Sequence, residues 1–483
     1  MRTYIFTSCL AFLLALAATP ITVVIAHRFG IVDIPNVRSS HEKRTARAGG
    51  IAIFVSVLLV ILPVLFLNNT IGDAFRSIQP GLFAVLFGSS LMFAVGLADD
   101  LFNVKARYKL FAQLAAAIIV CSFGVRIQHV AVQGLFTVDL GIYSWPLTIL
   151  WLVGVTNAVN LIDGLDGLAA GISAIVCAFL AILAIHFECR VMAILMLAMF
   201  GSLIGFLFFN FNPAKIFMGD CGSLFLGFMI ASSSVLTGTK SPALVGLALP
   251  ILALGIPIFD TFFAMLRRFI QRRSMFAPDK SHFHHRLLDY GLSHANVAVV
   301  AYVVTILIAS MGLFLMFTRS FASIIVFGCS LLLLVLVFRM VGSVRLRETI
   351  SGIKAKREIS GQAKEDIRKF EDSQLHFRNA STFDDLWESV CQAAERMNLV
   401  SVTLPLVDRD GKCRVLEWNS DEKKDGKVRE DDLIHMVIPI KDRRSQNPLK
   451  LDIRMHTNGS LESSGRKITL LSRLLEENGI HTL

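Results

Sequence analysis

An all-α polytopic membrane protein of about eleven transmembrane helices, carrying a small C-terminal α+β cytoplasmic domain, is the fold class this sequence predicts. Three observations carry it. The 483 residues are 54% hydrophobic with a mean hydropathy of +0.62, well above the soluble range. The long apolar runs are confined to residues 1–341, whereas 345–483 are rich in charge. The basic residues behind the net charge of +10 sit mainly in loops between apolar runs. That distribution fits membrane orientation and anionic substrates, and it argues against nucleic acid.

A spanning helix needs about 20 mostly apolar residues. Segments 4–26, 51–67, 80–97, 110–127, 145–161, 168–187, 191–209, 222–237, 243–264, 296–317 and 321–341 meet that demand. Polar groups intrude most on 145–161 and 222–237. The first segment follows Arg2 as a signal peptide would, but it is too long for an h-region and many spans follow, so a retained helix is expected. The loop after the first span carries Arg28, Arg38, Lys43, Arg44 and Arg47, and the loop after the third carries Lys105, Arg107 and Lys109. The loop after the ninth carries Arg267, Arg268, Arg272, Arg273, Lys280 and Arg286, and the intervening loops are poorer. The positive-inside rule puts these three loops and the C-terminus in the cytoplasm. The eight cysteines form no CxxC pair and read as small buried hydrophobes.

Domain organisation follows: a membrane domain over 1–341, a basic linker over 342–357 suited to anionic headgroups, and a soluble domain over 358–483. In the last, helices are expected near 360–375, 382–398 and 462–477, with strands near 400–407, 413–418, 433–440 and 449–455. Asp410-Gly411 reads as a hairpin turn. No chemistry is assigned to this domain; a regulatory or docking role is a hypothesis.

Four polar clusters punctuate the apolar part, and the helix count puts all of them on the cytoplasmic face. Asp99 and Asp100 are adjacent, so on a helix their side chains diverge by about 100°. One can face a metal while the other meets a second ligand or a substrate proton; a solvated helix end is the plainer reading. Asp163 and Asp166 are three apart and would share one helical face, where two like charges need a cation or a shared proton. Asn157 and Asn160 repeat that spacing, and Gly164 and Gly167 allow close backbone approach. Asp220 offers a hard oxygen at the start of a helix whose free N–H groups suit phosphate, or it serves as a plain N-terminal cap. The run His282, Phe283, His284, His285, Arg286 suits a diphosphate better than zinc, because its neighbours are oxygen-rich. Asp33, Pro35, Arg38, His41, Arg44 and Gly49-Gly50 form a further patch in the first loop. Asp260 either leans toward the site or caps a break after Pro257.

With these residues in view, the chain resembles the polyprenyl-phosphate N-acetylhexosamine-1-phosphate transferase family, which includes the WecA-, TagO- and MraY-type enzymes. The motifs are HEKRTARAGG, LADD at 97–100, NAVNLIDGLDGLAAG at 157–171, FMGDCGS at 217–223 and SHFHHRLLDYG at 281–291. The resemblance implies transfer of a sugar-1-phosphate, GlcNAc-1-phosphate first among them, from a UDP-N-acetylhexosamine to undecaprenyl phosphate at the cytoplasmic face of a bacterial inner membrane. UMP is released, and envelope polysaccharide synthesis begins. It also implies Mg2+ or Mn2+. By the same analogy Asp99, Asp100, Asp163 and Asp166 are catalytic-site acids, Asp220 with Asp163 holds the metal, and His282, His284, His285 and Arg286 bind the diphosphate. Asn157, Asn160, Arg38 and His41 join the substrate-binding set. Two departures stand out: the family's HIHH reads HFHH here, and the acid pair continues as Leu101, Phe102, Asn103 where some members have a third acid. The span count and the form HFHHR lean to the WecA/TagO branch. The bilayer is the other expected partner, nucleic acid is not, and self-association stays open. The main rival is a transporter with boundary carboxylates and a regulatory tail, though coupling acids usually sit near the bilayer midplane.

Overall fold

The computed structural model describes residues 2–341 except 34–44, 66–78, 133–135, 239–242, 272–281 and 316–321. Of the charged region it describes 382–473 except 408–412, 421–432, 441–448, 457–464 and 466, with scattered positions between 361 and 380. The expected 342–357 linker, the 360–375 helix for the most part, and the Asp410-Gly411 turn lie outside the described residues. The chain divides into two compact units, 1–346 and 347–483.

In the first unit every expected span overlaps a helix among the described residues, although 110–127 runs past the end of its helix at Ser122. The helices are α1 (Arg2–Phe29), α2 (Gly50–Leu65), α3 (Gln79–Phe102), α4 (Ala106–Ser122), α5 (Ser144–Ile162), α6 (Leu168–His186) and α7 (Arg190–Asn210). They continue as α8 (Gly219–Gly238), α9 (Ala243–Ala253), α10 (Gly255–Ile270), the short α11 (Phe283–Asp289), α12 (His294–Phe314) and α13 (Ala322–Met340). Seven of the described helices, α1, α3, α5, α6, α7, α8 and α12, are long and apolar enough to cross a bilayer, and Gly50–Val64 and Ile325–Met340 are shorter apolar helices. This is a multi-pass membrane protein. The expected single span 243–264 is two helices, because Pro257 has no N–H to continue the ladder from α9 into α10.

The centre of the bundle is α8, flanked by α2, α3 and α5. Its buried serines and threonine explain the weak apolar signal of that segment: they face other helices, not lipid. Ser232 and Thr237 donate to carbonyls one turn back, at 2.6 and 2.9 Å, and Ser234 accepts from the Trp151 indole at 3.0 Å. Satisfied polar groups of small residues are the usual cement between helices in a bilayer. Two glycines let backbones touch there: a Cβ on Gly50 would collide with the Gly222 backbone, and one on Gly96 with the Asp220 carbonyl. A Cβ on Gly49 would likewise stand 2.8 Å from the Phe217 carbonyl, just ahead of α8. Large side chains such as Phe111, Leu150 and Val24 point outward at 74%, 69% and 68% exposure, as a lipid-facing surface requires.

Two short antiparallel pairs decorate the bundle: β1 (Val32–Asp33) with β2 (Thr45–Ala46), and β3 (His129–Val132) with β4 (Phe136–Asp139). The first matters for the site. Gly49 and Gly50 donate backbone bonds to Phe217 and Met218, and Phe217 donates to Ala46, which lashes the first loop to the start of α8.

The second unit is the expected α+β domain. Helix α14 (Phe383–Arg396) begins with a reciprocal cap between Thr382 and Asp385. Strands β5 (Leu399–Val407), β6 (Cys413–Asn419), β7 (Leu433–Ile440) and β8 (Leu449–His456) form one antiparallel sheet in the order β6-β5-β8-β7. Val402, Leu404, Leu451 and Ile453 pack in one core with Leu386, Val390 and Ala393 of α14.

Candidate active site

Four helix ends meet at one end of the bundle. Asp99 and Asp100 occupy the last turn of α3, Lys109 the first turn of α4, Asp163 the residue after α5, and Asp220 the second residue of α8. Arg47 enters from the stretch between β2 and α2. Lys109 Nζ bridges Asp220 Oδ2 at 2.7 Å and Asp99 Oδ2 at 3.1 Å. Arg47 Nε lies 3.0 Å from Asp100 Oδ1, and its guanidinium is 4.0 Å from Asp220. Neither cation was expected in the site; both had served only to orient the loops. A signal for Lys109 existed, since a lysine in a first helical turn opposes the helix dipole and needs local acids to hold it.

Asp100 takes the backbone N–H of both Asp220 and Cys221, each at 3.0 Å. The start of α8 therefore does not present those amides to a phosphate, contrary to the expectation from sequence.

The DGLDG segment is a turn, not a helical face. Gly167, at φ +73°, starts α6 from the left-handed region, so Asp163 and Asp166 diverge. Asp166 accepts from Asn212 Nδ2 at 2.9 Å and from the Ala214 N–H at 3.0 Å, fastening the loop before α8. Asp163 faces the acid cluster. Burial raises its pKa well above the ordinary carboxyl value, the charges of Asp220 and Asp100 push the same way, and Arg47 opposes them. Asn160 donates to Ser223 Oγ at 2.8 Å and also bonds Asp220. Asn157, expected to offer its amide to a ligand, is instead committed to Gln113 in a reciprocal pair at 2.7 and 3.3 Å.

The histidine segment is held from below by Asp260. Its Oδ2 lies 2.9 Å from His282 Nδ1 and its Oδ1 accepts the Phe283 N–H at 2.8 Å. Asp260 therefore leans toward the histidine segment, where it anchors the start of α11. His284 lies buried with its Nε2 against the backbone of Gly164, so α11 closes over the DGLDG turn. Arg286 approaches Asp289 at 3.8 Å. Burial, reinforced by His285, holds the His284 pKa down at about 3 against a usual 6.5. The unfolded chain then binds a proton through that window that the folded chain refuses. Stability is full above pH 6.5 and falls on acidification, by up to about 1.4 kcal/mol per pH unit from this group. Thermal unfolding in detergent at pH 7 and pH 5 is expected to show a smaller acid loss for His284→Gln than for the parent; equal losses would remove His284 as the buried neutral imidazole.

A cavity of about 420 Å³ collects these parts, lined by Asp33, Arg47, Asp163, Asp166, Asp220 and His285 together with His294 and Leu288. His294 carried no signal beyond its position at the start of α12. Tyr302, eight residues on, donates to the Gly167 carbonyl at 2.6 Å and brings this helix against the DGLDG turn. Arg38 and His41 lie outside the described residues. Among the described residues no three His, Cys, Asp or Glu side chains stand grouped to hold a metal ion unaided. A second cavity, of about 480 Å³, is apolar and follows α5 through Trp151, Gly154, Val155 and Ala158, facing Phe262 and Met265 of α10 and Phe327 of α13.

Residues 82–238 match the sequence profile of glycosyl transferase family 4. The chain is 42% identical over 293 residues to a probable undecaprenyl-phosphate N-acetylglucosaminyl 1-phosphate transferase of Bacillus subtilis (strain 168), covering 60% of this chain and 79% of the relative. It is 34% identical over 313 residues to a decaprenyl-phosphate N-acetylglucosaminephosphotransferase of Mycobacterium leprae (strain TN), covering 59% and 77%. A phospho-N-acetylmuramoyl-pentapeptide-transferase of Thermoanaerobacter sp. (strain X514) is 32% identical over 329 residues, covering 64% and 96%.

Proposed function

This chain belongs to the polyprenyl-phosphate N-acetylhexosamine-1-phosphate transferase family, and from that premise we propose a specific reaction. It transfers GlcNAc-1-phosphate from UDP-GlcNAc to undecaprenyl phosphate, releases UMP, and works at the cytoplasmic face of a bacterial inner membrane. The enzyme class, a phosphoglycosyltransferase, follows from the family. The donor, the leaving group and the membrane face are our reading. The single observation that carries it is the convergence of four acids, two fixed cations and the histidine segment at one end of an apolar bundle.

The chemistry brings a lipid phosphate up to a diphosphate, so several negative charges must approach within a few ångströms. The residues fit a divalent cation of the Mg2+ or Mn2+ kind. Their donors are hard carboxylate oxygens, and Asp163, kept from ionising first by its burial and then by the charges of Asp220 and Asp100, would gain from added positive charge. Asp220 and Asp163 would hold such an ion, which would neutralise charge on the diphosphate and on the UMP leaving group.

The side chains do the rest. Lys109 keeps Asp99 and Asp220 together despite their like charge, and Arg47 adds positive charge on the cavity wall. Asp99 orients the acceptor phosphate or takes its proton. His285 and Arg286 donate to the outer diphosphate oxygens, and neutral His284 keeps α11 seated on the turn. An acceptor oxygen bonds in line to the sugar-bearing phosphorus as the bridging P–O bond breaks, its electron pair leaving on UMP. The apolar cavity along α5 supports a polyprenyl chain as acceptor: it ends at Ala158, and Asp163 lies about 8 Å farther along the same helix direction.

Purified protein with undecaprenyl phosphate, Mg2+ and a panel of UDP-sugars tests the reading. UMP release is expected with UDP-GlcNAc ahead of the other sugars. Release from no UDP-sugar at all would end the proposal.

A further inference from the structure

We infer that Asp100 is a positioning residue that builds the metal- and phosphate-binding corner, and that it is not the proton acceptor of the transfer reaction. The inference rests on the proposed transferase reading for its kinetic arms. Its structural basis is independent of that reading.

The two adjacent acids differ in what their oxygens already hold. Asp100 Oδ1 accepts from the Asp220 N–H and from Arg47 Nε, both at 3.0 Å, and Oδ2 accepts from the Cys221 N–H at 3.0 Å. Its side chain is wholly buried, against 10% exposure for Asp99 and 18% for Asp220. A carboxylate has about four lone-pair sites, and three of these are filled, two by backbone amides and one by Arg47, whose guanidinium also comes within 4.0 Å of Asp220. With its side chain wholly buried and at most one lone-pair site unfilled, it has little to offer a substrate oxygen. The seat is also walled: a Cβ on Gly219, which holds φ +75°, would stand 2.6 Å from Asp100 Oδ2.

Those three bonds join three distant segments. The end of α3, the first loop through Arg47, and the first turn of α8 all meet at this one carboxylate. Asp220 owes its place to it, since the amide that Asp100 holds belongs to Asp220 itself. A negative charge at the start of α8 also suits the helix dipole. Asp100 therefore sets where the Asp220 carboxylate and the Arg47 guanidinium stand, and it touches the reaction only through them.

Asp100→Asn replaces one acceptor oxygen by an NH2 group that must face a donor. The expected result is a fall in kcat of about 100-fold, as for a misplaced catalytic group. The acid limb of the pH–kcat profile should stay at the pH of the parent enzyme, and amide hydrogen exchange over residues 218–223 should quicken. Gly219→Ala serves as the second variant, because it leaves every carboxyl group in the chain while it crowds the seat and strains the backbone that holds φ +75° there. It should show the same kcat loss, the same unmoved acid limb and the same faster exchange. Loss of the acid limb in Asp100→Asn would make Asp100 the base and overturn the inference. Parent-like kcat in Gly219→Ala, or unchanged exchange in both variants, would overturn it too. Should the parent release no UMP from any UDP-sugar, the transferase reading fails while the exchange measurement still decides the seat.

Discussion

Asp220→Asn is expected to lower kcat by at least about 10³-fold and to leave residual turnover that no longer responds to Mg2+. The substitution is nearly isosteric. The backbone amide at 220 keeps its bond to Asp100, and the α3–α8 contact at Gly96 involves only backbone, so the first turn of α8 has no reason to move. What disappears is one negative oxygen pair on the cavity wall, 2.7 Å from Lys109. The loss also removes the main charge that keeps Asp163 from ionising, after its burial. Stability should therefore hold, and a drop in turnover cannot be blamed on unfolding. The decisive measurement is a Mg2+ titration of UMP release with thermal unfolding run beside it. Parent-like activity with unchanged Mg2+ dependence would take Asp220 out of the metal role.

Much of this arrangement is legible in the sequence, and the parts that are not share a cause. Most spans are readable because a bilayer demands about 20 apolar residues in a row, and seven described helices supply them; the segments 51–67, 110–127, 243–264 and 321–341 of the expected eleven fall on helices outside those seven. The strands of the second unit were readable from alternation: Val402, Leu404, Ile453 and Leu451 fall at period two on the buried face. The four polar clusters were readable as clusters, and parity of the helix count placed them together. Their internal division of labour was not. Asp99 and Asp100 were expected to diverge, but the partners that separate their roles, Lys109, Arg47 and the Cys221 amide, lie on other segments. A spacing of three suggested that Asp163 and Asp166 share a helical face; two glycines in that stretch turned it into a loop, and Asp166 went to Asn212 and Ala214. Asn157 failed for the same reason, since its partner Gln113 sits 44 residues away. Local pattern predicts local structure; contacts across the bundle need the bundle.

Lys109→Met is the second change with a large expected effect, and it should act on the metal requirement in the opposite direction to Asp220→Asn. Lys109 bridges Asp99 and Asp220, at 3.1 and 2.7 Å, and only 21% of its side chain is exposed. Met keeps the apolar stem and removes the charge. Two carboxylates are then left side by side with no fixed cation between them, a costly arrangement in partly buried surroundings. Turnover is expected to fall about 100-fold, because Asp99 and Asp220 no longer hold one spacing. The half-saturating Mg2+ concentration should fall as well, since an acid pair stripped of its lysine attracts an external cation more strongly. Lys109→Arg keeps the charge on a planar fork that cannot occupy the same point, so it should recover only part of kcat while returning the Mg2+ dependence toward that of the parent. This pattern separates Lys109 as a spacer of carboxylates from Lys109 as a mere surface charge. In the second case both variants would behave as the parent does, and raised salt would mimic the Met variant. Unchanged kcat in Lys109→Met would leave the acids held by something other than their lysine, and the charge balance argued for this corner would have to be redrawn.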